Sequence, residues 1–217
     1  MSTKQRILEA ALTLFNEQGE RAVTTNHIAA HLNISPGNLY YHFKNKQAII
    51  FELFLAYETR VLEYLSVPDD RPLTAADKVN YLKDVFTGLW QYRFMHRDME
   101  HLLNADDALH ARYREFFQLC LEQVRKIYRG LRAVGMIDLN DDDVDALALN
   151  TWIVVTSWFS FLRCNLMEEN QQDITLEMLW GGIYQIFALE RPFLTDDYRA
   201  EILRLQQQLS PKPDWLG

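Results

Sequence analysis

The chain of 217 residues has few of the features that mark disulfide-stabilised, metal-binding or membrane-spanning proteins. Its two cysteines, Cys120 and Cys164, are too few and too far apart for a disulfide framework or a zinc site. The longest uncharged run, residues 146–162, contains Asn, Thr and Ser and is shorter than the roughly 20 residues of a membrane helix. The first residues read as an amphipathic helix, with no secretory signal peptide. These absences favour a soluble, cytoplasmic protein.

Motifs of catalysis and of metal binding are also missing. The sequence has no glycine-rich phosphate loop and no G-x-S-x-G turn. Residues 138–149 are rich in aspartate but lack the Gly and Glu that a calcium loop needs at its sixth and twelfth positions, so we expect an acid-rich helix start. His96 and His101 do not share a helix face well, which argues against a metal pair. We predict no cofactor, no metal site and no enzyme, and keep a helical small-molecule-binding enzyme or carrier as the alternative.

Positive charge is scarce, and it is unevenly distributed. The net charge of the chain is −8, whereas the first 50 residues hold five basic and three acidic residues and therefore carry +2, leaving −10 for the rest. Three of the six histidines, His27, His31 and His42, also lie in this first segment. A polyanion would be repelled by most of such a protein and accepted only at its N-terminal segment.

Helical patterns dominate the chain, and no convincing alternating strand pattern is present, so we predict an all-α fold. A first helix is expected over residues 3–18, with Gly19 suited to the position after a helix end. A second helix should begin after Thr24 or Thr25, either of which can cap it, and end near Asn33.

A third and a fourth helix follow closely. Ser35 can cap a short helix in which Pro36 takes the first position, where its missing N–H has no effect. Asn45 can cap a long fourth helix that begins at Lys46 and runs to about residue 65. Three short helices with a tight turn between the second and the third describe a helix-turn-helix.

The third helix has an unusual outward face. If Leu39 points inward, 100° per residue places Phe43 beside it and turns Gly37, Asn38 and Tyr41 away. Amide and aromatic groups on an exposed helix suit a DNA major groove, where Asn pairs with adenine and a ring contacts a thymine methyl. Side chains that can reach the flanking phosphates are Thr25, Tyr40, His42 and Lys46. The alternative is that the paired tyrosines and the histidine are ordinary half-buried aromatics under the fourth helix.

Three motifs carry a resemblance to a known family. The runs "RILEAALTLFNEQG", "TTNHIAAHLNIS" and "GNLYYHFKNKQAI", in this order and spacing, closely resemble the DNA-binding domain of the TetR family of bacterial transcriptional regulators over residues 3–50. The resemblance implies a helix-turn-helix DNA-binding domain over residues 1–46 and a larger helical ligand-binding and dimerisation domain over residues 47–217. The implied base or groove contacts are Asn26, Pro36, Gly37, Asn38 and Tyr41. The implied phosphate contacts are Thr25, Ser35, Tyr40, His42 and Lys46.

The remaining residues predict a helical body that is rich in aromatic side chains. We expect helices at about residues 75–95, 97–104, 106–133, 142–167, 174–190 and 195–209, with breaks at His96, Gly135 and Pro192. The aromatic residues can be simple core or can line an apolar pocket with a few polar groups. The resemblance favours a pocket for a small effector. The lining that we predict is Phe86, Trp90, Phe117, Trp152 and Phe159.

The helix expected over residues 174–190 carries the prediction of a homodimer. Gly181 and Gly182 each disfavour a helix by roughly 1 kcal/mol relative to Ala, which makes sense where another backbone comes close. A bend or a π-bulge is the alternative. The predicted interface residues are Leu179, Gly182, Ile183 and Ile186. Together with the resemblance, these patterns predict a repressor that binds a palindromic DNA operator as a dimer and is released by a small apolar, acyl or aromatic effector.

Overall fold

The computed structural model describes residues 1–166, 174–210 and 212. The helices within these ranges are α1 (Thr3–Gln18), α2 (Thr25–His31), α3 (Pro36–His42), α4 (Lys46–Tyr64), α5 (Ala75–Gln91), α6 (Arg93–Ala105), α7 (Asp107–Ala133), α8 (Asp141–Asn165), α9 (Leu176–Glu190) and α10 (Asp196–Leu209). The sole β interaction among the described residues is one antiparallel bridge between Ile137 and Leu194. The prediction of an all-α protein is confirmed.

The first helices begin where their capping residues predict. Thr24 Oγ1 accepts the backbone N–H of His27 at 3.3 Å, and His27 Nδ1 accepts the N–H of Thr24 at 3.3 Å, which caps α2 reciprocally. Ser35 Oγ accepts the N–H of Asn38 at 3.1 Å at the start of α3. Asn45 Oδ1 accepts the N–H of Ala48 at 2.9 Å at the start of α4. These bonds satisfy N–H groups that have no partner inside the helix.

The break predicted at His96 is wrong. The chain leaves helical geometry earlier, at Tyr92, and Asp98 is non-helical inside α6. His96 itself is buried, and its Nε2 lies 3.1 Å from the hydroxyl of Tyr57. Its ring therefore belongs to a helix face that packs inward.

The later breaks agree with the sequence. Gly135 has the left-handed φ of 73° that favours glycine after a helix end, two residues beyond α7. Asn140 caps α8 through the N–H of Asp143 at 2.8 Å, and three aspartates fill the first turn, so the acid-rich helix start is confirmed. Residue 167, the last of the predicted helix at 142–167, lies outside the described residues.

The chain divides into two compact units. The first unit comprises Met1–Arg60 and Tyr92–Glu115, and the second comprises Val61–Gln91 and Phe116–Gly217. In the first unit the buried rings of Phe15 and Phe94 lie 5.1 Å apart, which joins α1 to α6. In the second unit α9 packs against α5, α8 and α10. The functional boundary after residue 46 remains a prediction.

Helix α8 is the described helix that meets the length and hydropathy of a membrane span. Its most apolar 18-residue window has a mean hydropathy of 1.2, and 33% of that window is buried within the single chain. Core helices of soluble proteins have the same properties. Most of this window is therefore not buried within the single chain.

Candidate functional site

The outward face of α3 has the orientation that helical geometry predicts. Leu39 and Phe43 are buried, whereas Gly37 and Asn38 are exposed and Tyr41 is 85% exposed. An aromatic ring left in water on a helix anchored from below is available to a partner molecule. The alternative of half-buried aromatics under α4 therefore does not fit Tyr41.

The remaining predicted DNA contacts lie around this face. The hydroxyl of Tyr40 and Thr25 Oγ1 are hydrogen-bonded at 3.0 Å, which ties α3 to the first residue of α2. Asn26, Ser35 and Pro36 are exposed, and the ring of His42 meets that of Tyr41 edge-on at 5.1 Å. The predicted residues other than Lys46 are therefore exposed or partly exposed around α3.

Lys46 is the exception, and its predicted role needs correction. Its Nζ lies 2.6 Å from Glu20 Oε1 and donates to the carbonyls of Glu20 at 3.0 Å and Val23 at 3.1 Å. An ammonium has three N–H donors, so these oxygens use all of them. Lys46 holds the residues before α2 against the start of α4, and it is not free for a phosphate.

Sequence reasoning missed Glu20. This residue begins the 3-10 turn Glu20–Ala22, and its side chain is 5% exposed. Polar residues are expected at the surface, so one glutamate between two helices gives no signal of burial. Its partner Lys46 lies 26 residues further along the chain, so no local pattern shows the pairing.

The predicted effector-binding aromatics fall into two groups in the second unit. The rings of Phe117 and Trp152 lie 5.1 Å apart, and both residues are partly exposed, as is Trp90. Phe86 and Phe159 are buried. The structure therefore brings Phe117 and Trp152 together as an accessible aromatic pair.

The residues predicted to face a partner subunit lie inside a single subunit. Leu179, Ile183 and Ile186 are at most 1% exposed. A methyl group added at Gly182 would lie 2.7 Å from Cε1 of Phe86 and 2.9 Å from Cγ of Trp158. Other helices do pack closely against α9 at Gly182, as the glycine predicted, but these helices are α5 and α8 of the same chain. The prediction of these residues as a dimer interface needs correction.

The exposed apolar side chains of these helices lie mainly on α8. Leu149, Ile153 and Phe161 are 43%, 50% and 38% exposed, and Leu189 on α9 is 36% exposed. Ser157, between Ile153 and Phe161 at helical spacing, is exposed as well. We call Leu149, Ile153, Ser157 and Phe161 the α8 face.

A polar network is buried in the second unit. Lys78 on α5 forms an ion pair with Glu190 on α9, and both side chains are 4% exposed. The hydroxyl of Tyr128 on α7 donates to Glu190 Oε1 at 2.8 Å and lies 2.8 Å from Thr151 Oγ1 on α8. Burial and the nearby charge of Glu190 hold the pKa of Tyr128 well above its usual value. The network joins four helices, and each of its charged oxygens has a donor.

A buried histidine is the main titratable feature of the first unit. Burial lowers the pKa of His96 to about 4, so its ring is neutral near pH 7. Among the residues that the structure describes, no group of three or more His, Cys, Asp and Glu side chains could hold a metal ion.

Comparisons with known proteins agree with the helix-turn-helix. A family model described as bacterial regulatory proteins, tetR family, matches residues 7–53, and one described as bacterial transcriptional repressor matches residues 56–202. The HTH-type transcriptional regulator UidR of Escherichia coli K12 is 32% identical over 95 residues, which are 44% of this chain and 46% of that protein. The chain thus spans about half the length of this curated relative.

Solved structures cover far more of the chain. A TetR-family transcriptional regulator from Marinobacter aquaeolei VT8 is 48% identical, covers 97% of this chain and 100% of its own, and superposes with a TM-score of 0.89. The complex of SmeT with triclosan covers 90% of this chain and 93% of its own at 20% identity and a TM-score of 0.59, a likeness of fold. SmeT is the repressor of a multidrug efflux pump of Stenotrophomonas maltophilia.

Proposed function

Because the chain belongs to the TetR family of bacterial transcriptional regulators, we propose that it is a cytoplasmic repressor that binds a palindromic DNA operator as a homodimer. The observation that carries this proposal is the face of α3, where Gly37, Asn38 and Tyr41 stand exposed above the buried Leu39. Packing within one subunit gives no reason to expose these groups. A major groove offers partners to Asn38 and Tyr41 and room for close approach at Gly37.

Each exposed group has a defined part in this reading. The Asn38 amide can donate to and accept from an adenine edge, and the Tyr41 ring can contact a thymine methyl. Gly37 lets the helix approach the base edges because it has no side chain. Thr25, Tyr40 and His42 lie where hydroxyl and imidazole groups can bind phosphates and fix the register of the helix.

Gel-shift titrations with the DNA upstream of the protein's own gene test operator binding. Tyr41→Ala and Asn38→Ala should keep the helical content, since both side chains are exposed, and each should lose about 1–3 kcal/mol of discrimination between operator and random DNA. Lys44→Ala, which removes an exposed lysine near the end of α3, is the control and should leave discrimination in place. If Tyr41→Ala distinguished operator from random DNA as well as the native protein does, α3 would not be the recognition helix.

The α8 face supports the homodimer. Ile153 and Phe161 are large apolar groups two turns apart on one side of the helix, and the small Ser157 between them permits close helix packing. Such a stripe is stable in water when a second copy covers it. A two-fold dimer would present two α3 helices to the two half-sites of a palindrome.

Analytical ultracentrifugation tests this interface. Ile153→Glu should give monomers with native helical content and should abolish tight operator binding, because a buried unpaired carboxylate opposes association. Leu119→Glu, at an apolar position of α7 that is 44% exposed, is the matched control and should stay dimeric. Dimers of Ile153→Glu would place the interface elsewhere.

The aromatic pair Phe117–Trp152 supports a small, largely apolar effector in the second unit. Aromatic rings with few polar groups suit such ligands, and the related fold of SmeT holds triclosan. An effector can shift the operator affinity only by its difference in affinity for the two states, typically about 1–3 kcal/mol. Ligands that quench Trp fluorescence and release operator DNA in the same concentration range would fit this role. Quenching without release would favour the carrier alternative.

A further inference from the structure

The first 50 residues carry few positive charges, and several of these charges already have partners. The five basic residues are Lys4, Arg6, Arg21, Lys44 and Lys46. Lys4 Nζ lies 3.0 Å from Glu52 Oε1, and the Arg21 guanidinium lies 3.1 Å from Asp98 Oδ1. The ammonium of Lys46 is occupied by a carboxylate and two carbonyls. Three of the five charges are therefore paired with carboxylates of the first unit.

Arg6 and Lys44 are the two basic residues of this segment that form no ion pair with the described residues. Both side chains are exposed to solvent. Binding to DNA gains affinity when a basic side chain neutralises a phosphate and releases the counterions around it. A charge without an internal partner can do this without first losing an ion pair. The positions of Arg6 and Lys44 relative to α3 decide which of them can reach DNA there.

Lys44 lies where the chain passes from α3 to α4. Phe43, the residue before it, has extended backbone with a φ of −138° and a ψ of 120°, and its side chain is buried. Successive side chains of extended backbone point to opposite sides, so the inward ring of Phe43 directs Lys44 outward. His42, one of the predicted phosphate contacts, is two residues earlier. Lys44 therefore stands at the surface beside the C-terminal end of α3.

The same end of α3 adjoins the start of α2. The hydroxyl of Tyr40 and Thr25 Oγ1 are hydrogen-bonded at 3.0 Å. Lys46 Nζ lies 3.1 Å from the carbonyl of Val23, which is two residues before Thr25. The predicted phosphate contacts thus collect at one edge of the helix-turn-helix. Of the two lysines in the chain at this edge, Lys46 is engaged and Lys44 has no partner among the described residues.

Arg6 lies at a different edge. It lines a groove together with His31, the last residue of α2. Helix α2 begins at Thr25, and six residues at 1.5 Å each place Thr25 about 9 Å from His31 along the axis. On α1 the side chain of Arg6 points about 160° away from that of Lys4, whose Nζ lies 5.7 Å from the centre of the Phe43 ring. The charge of Arg6 is therefore directed away from the end of α3.

We propose that Lys44 is the lysine that neutralises a DNA phosphate beside α3, in place of Lys46. This inference rests on the proposed function, because it names a contact within the DNA-binding surface. A lysine ammonium is a point charge on a flexible stem, and phosphate contacts carry no sequence information directly. Lys44→Ala should therefore weaken binding to operator and to random DNA by the same factor and keep the discrimination between them.

The salt dependence of DNA binding tests this assignment. The full chain is titrated by fluorescence anisotropy with two labelled duplexes, the DNA upstream of its own gene and a random sequence, between about 50 and 200 mM salt. Lys44→Ala should reduce the slope of log affinity against log salt concentration by about 0.9 for each bound subunit, on both duplexes. Lys44→Arg keeps the charge and should keep the native slope.

Two further variants make the result specific. Lys44→Gln retains a polar side chain of similar length and should lose as much slope as Lys44→Ala. Arg6→Ala removes the other exposed, unpaired charge and should change the slope much less. Circular dichroism should show native helical content in each of these variants. An unchanged slope in Lys44→Ala and Lys44→Gln, or an equal loss in Arg6→Ala, overturns the proposal.

The outcomes also separate this contact from the repressor proposal. If the native protein binds random DNA with no preference for the upstream DNA, and Lys44→Ala reduces the slope, the phosphate contact stands and the repressor proposal fails. If the native protein prefers the upstream DNA and Lys44→Ala keeps the native slope, the repressor proposal stands and the assignment of Lys44 fails. A native protein that binds neither duplex contradicts both.

Discussion

In each unit a Lys–Glu pair with a buried carboxylate is present among the described residues, and the two pairs are built differently. In the second unit Lys78 and Glu190 are both 4% exposed, and the second oxygen of Glu190 accepts from Tyr128. In the first unit the side chain of Lys46 is 22% exposed, and the second oxygen of Glu20 has no hydrogen-bond donor among the described residues. One carboxylate has a donor on both oxygens, and the other has a donor on only one of its oxygens among the described residues.

This difference separates a complete hydrogen-bond network from an incomplete one. A buried charge is tolerated when each of its oxygens has a donor, and such a network defines how its helices meet. A buried oxygen without a donor is unfavourable, because no hydrogen bond replaces those that it made with water in the unfolded chain. Buried charge therefore has to be judged by its unsatisfied atoms as well as by its ion pairs.

The largest expected effect comes from opening the closed network. Glu190→Ala should lower the free energy of unfolding by about 3–5 kcal/mol, because it leaves the Lys78 ammonium buried without a counter-charge. Urea denaturation followed by circular dichroism and Trp fluorescence measures this loss.

The matched control replaces the pair as a whole. Lys78→Met combined with Glu190→Leu removes both charges and keeps apolar volume, and such replacements of buried ion pairs are often neutral or stabilising. The double variant should therefore be more stable than Glu190→Ala. If Glu190→Ala lowered the free energy of unfolding by less than about 1 kcal/mol, water would have to reach the network. The contrast between the Lys78–Glu190 and Lys46–Glu20 pairs would then fail.

The next effect concerns the buried His96 of the first unit. Its pKa of about 4 lies below the ordinary 6.5, so the unfolded chain binds a proton at this residue before the folded chain does. Stability from His96 is fully present above pH 6.5 and is lost as the pH falls to about 4, by about 3 kcal/mol in total.

The pH dependence is measured as a difference. Urea denaturation between pH 7 and pH 4 should show the native protein losing stability relative to His96→Gln, which has no titrating ring. Parallel curves for the two proteins would show that water reaches His96, contrary to the buried contact with Tyr57.

The smallest effect distinguishes an internal from a DNA-facing lysine. Lys46→Met should destabilise the chain by about 1–2 kcal/mol, because two carbonyls and a carboxylate lose their donor. Loss of one phosphate contact changes the slope of log affinity for DNA against log salt concentration by about one. We expect Lys46→Met to change this slope by much less. Lys44→Met, at an exposed lysine, is the control and should leave stability within about 0.5 kcal/mol. A full unit of slope lost in Lys46→Met would return this lysine to the DNA interface.

Local chemistry allowed most of the first unit to be predicted. Helix α1 spans the predicted residues, and Ser35, Pro36 and Asn45 start α3 and α4 as expected, because caps act over three residues. The outward direction of Tyr41 followed from helical geometry once Leu39 was taken as buried.

Long-range pairing was beyond the sequence. Lys78 and Glu190 are 112 residues apart, and nothing local shows that either is buried. The apolar stripe of α9 was recognised from its periodicity. Periodicity predicts that a helix face is buried, but it does not identify whether the same chain or a partner subunit buries it. For Ile183 and Ile186 the cover is the same chain. The apolar residues of α8 that are exposed could be distinguished from core residues only with the structure, which gives their exposed fractions.

The glycine at position 182 has a consequence for genetic screens. A single methyl group there would meet Phe86 and Trp158 at less than 3 Å, so every substitution must displace the core between α5, α8 and α9. A search for inactive variants would recover this position repeatedly and suggest a contact with DNA, an effector or a partner. In the described structure Gly182 is enclosed by its own subunit. Its sensitivity to substitution would therefore reflect the narrow space between packed helices.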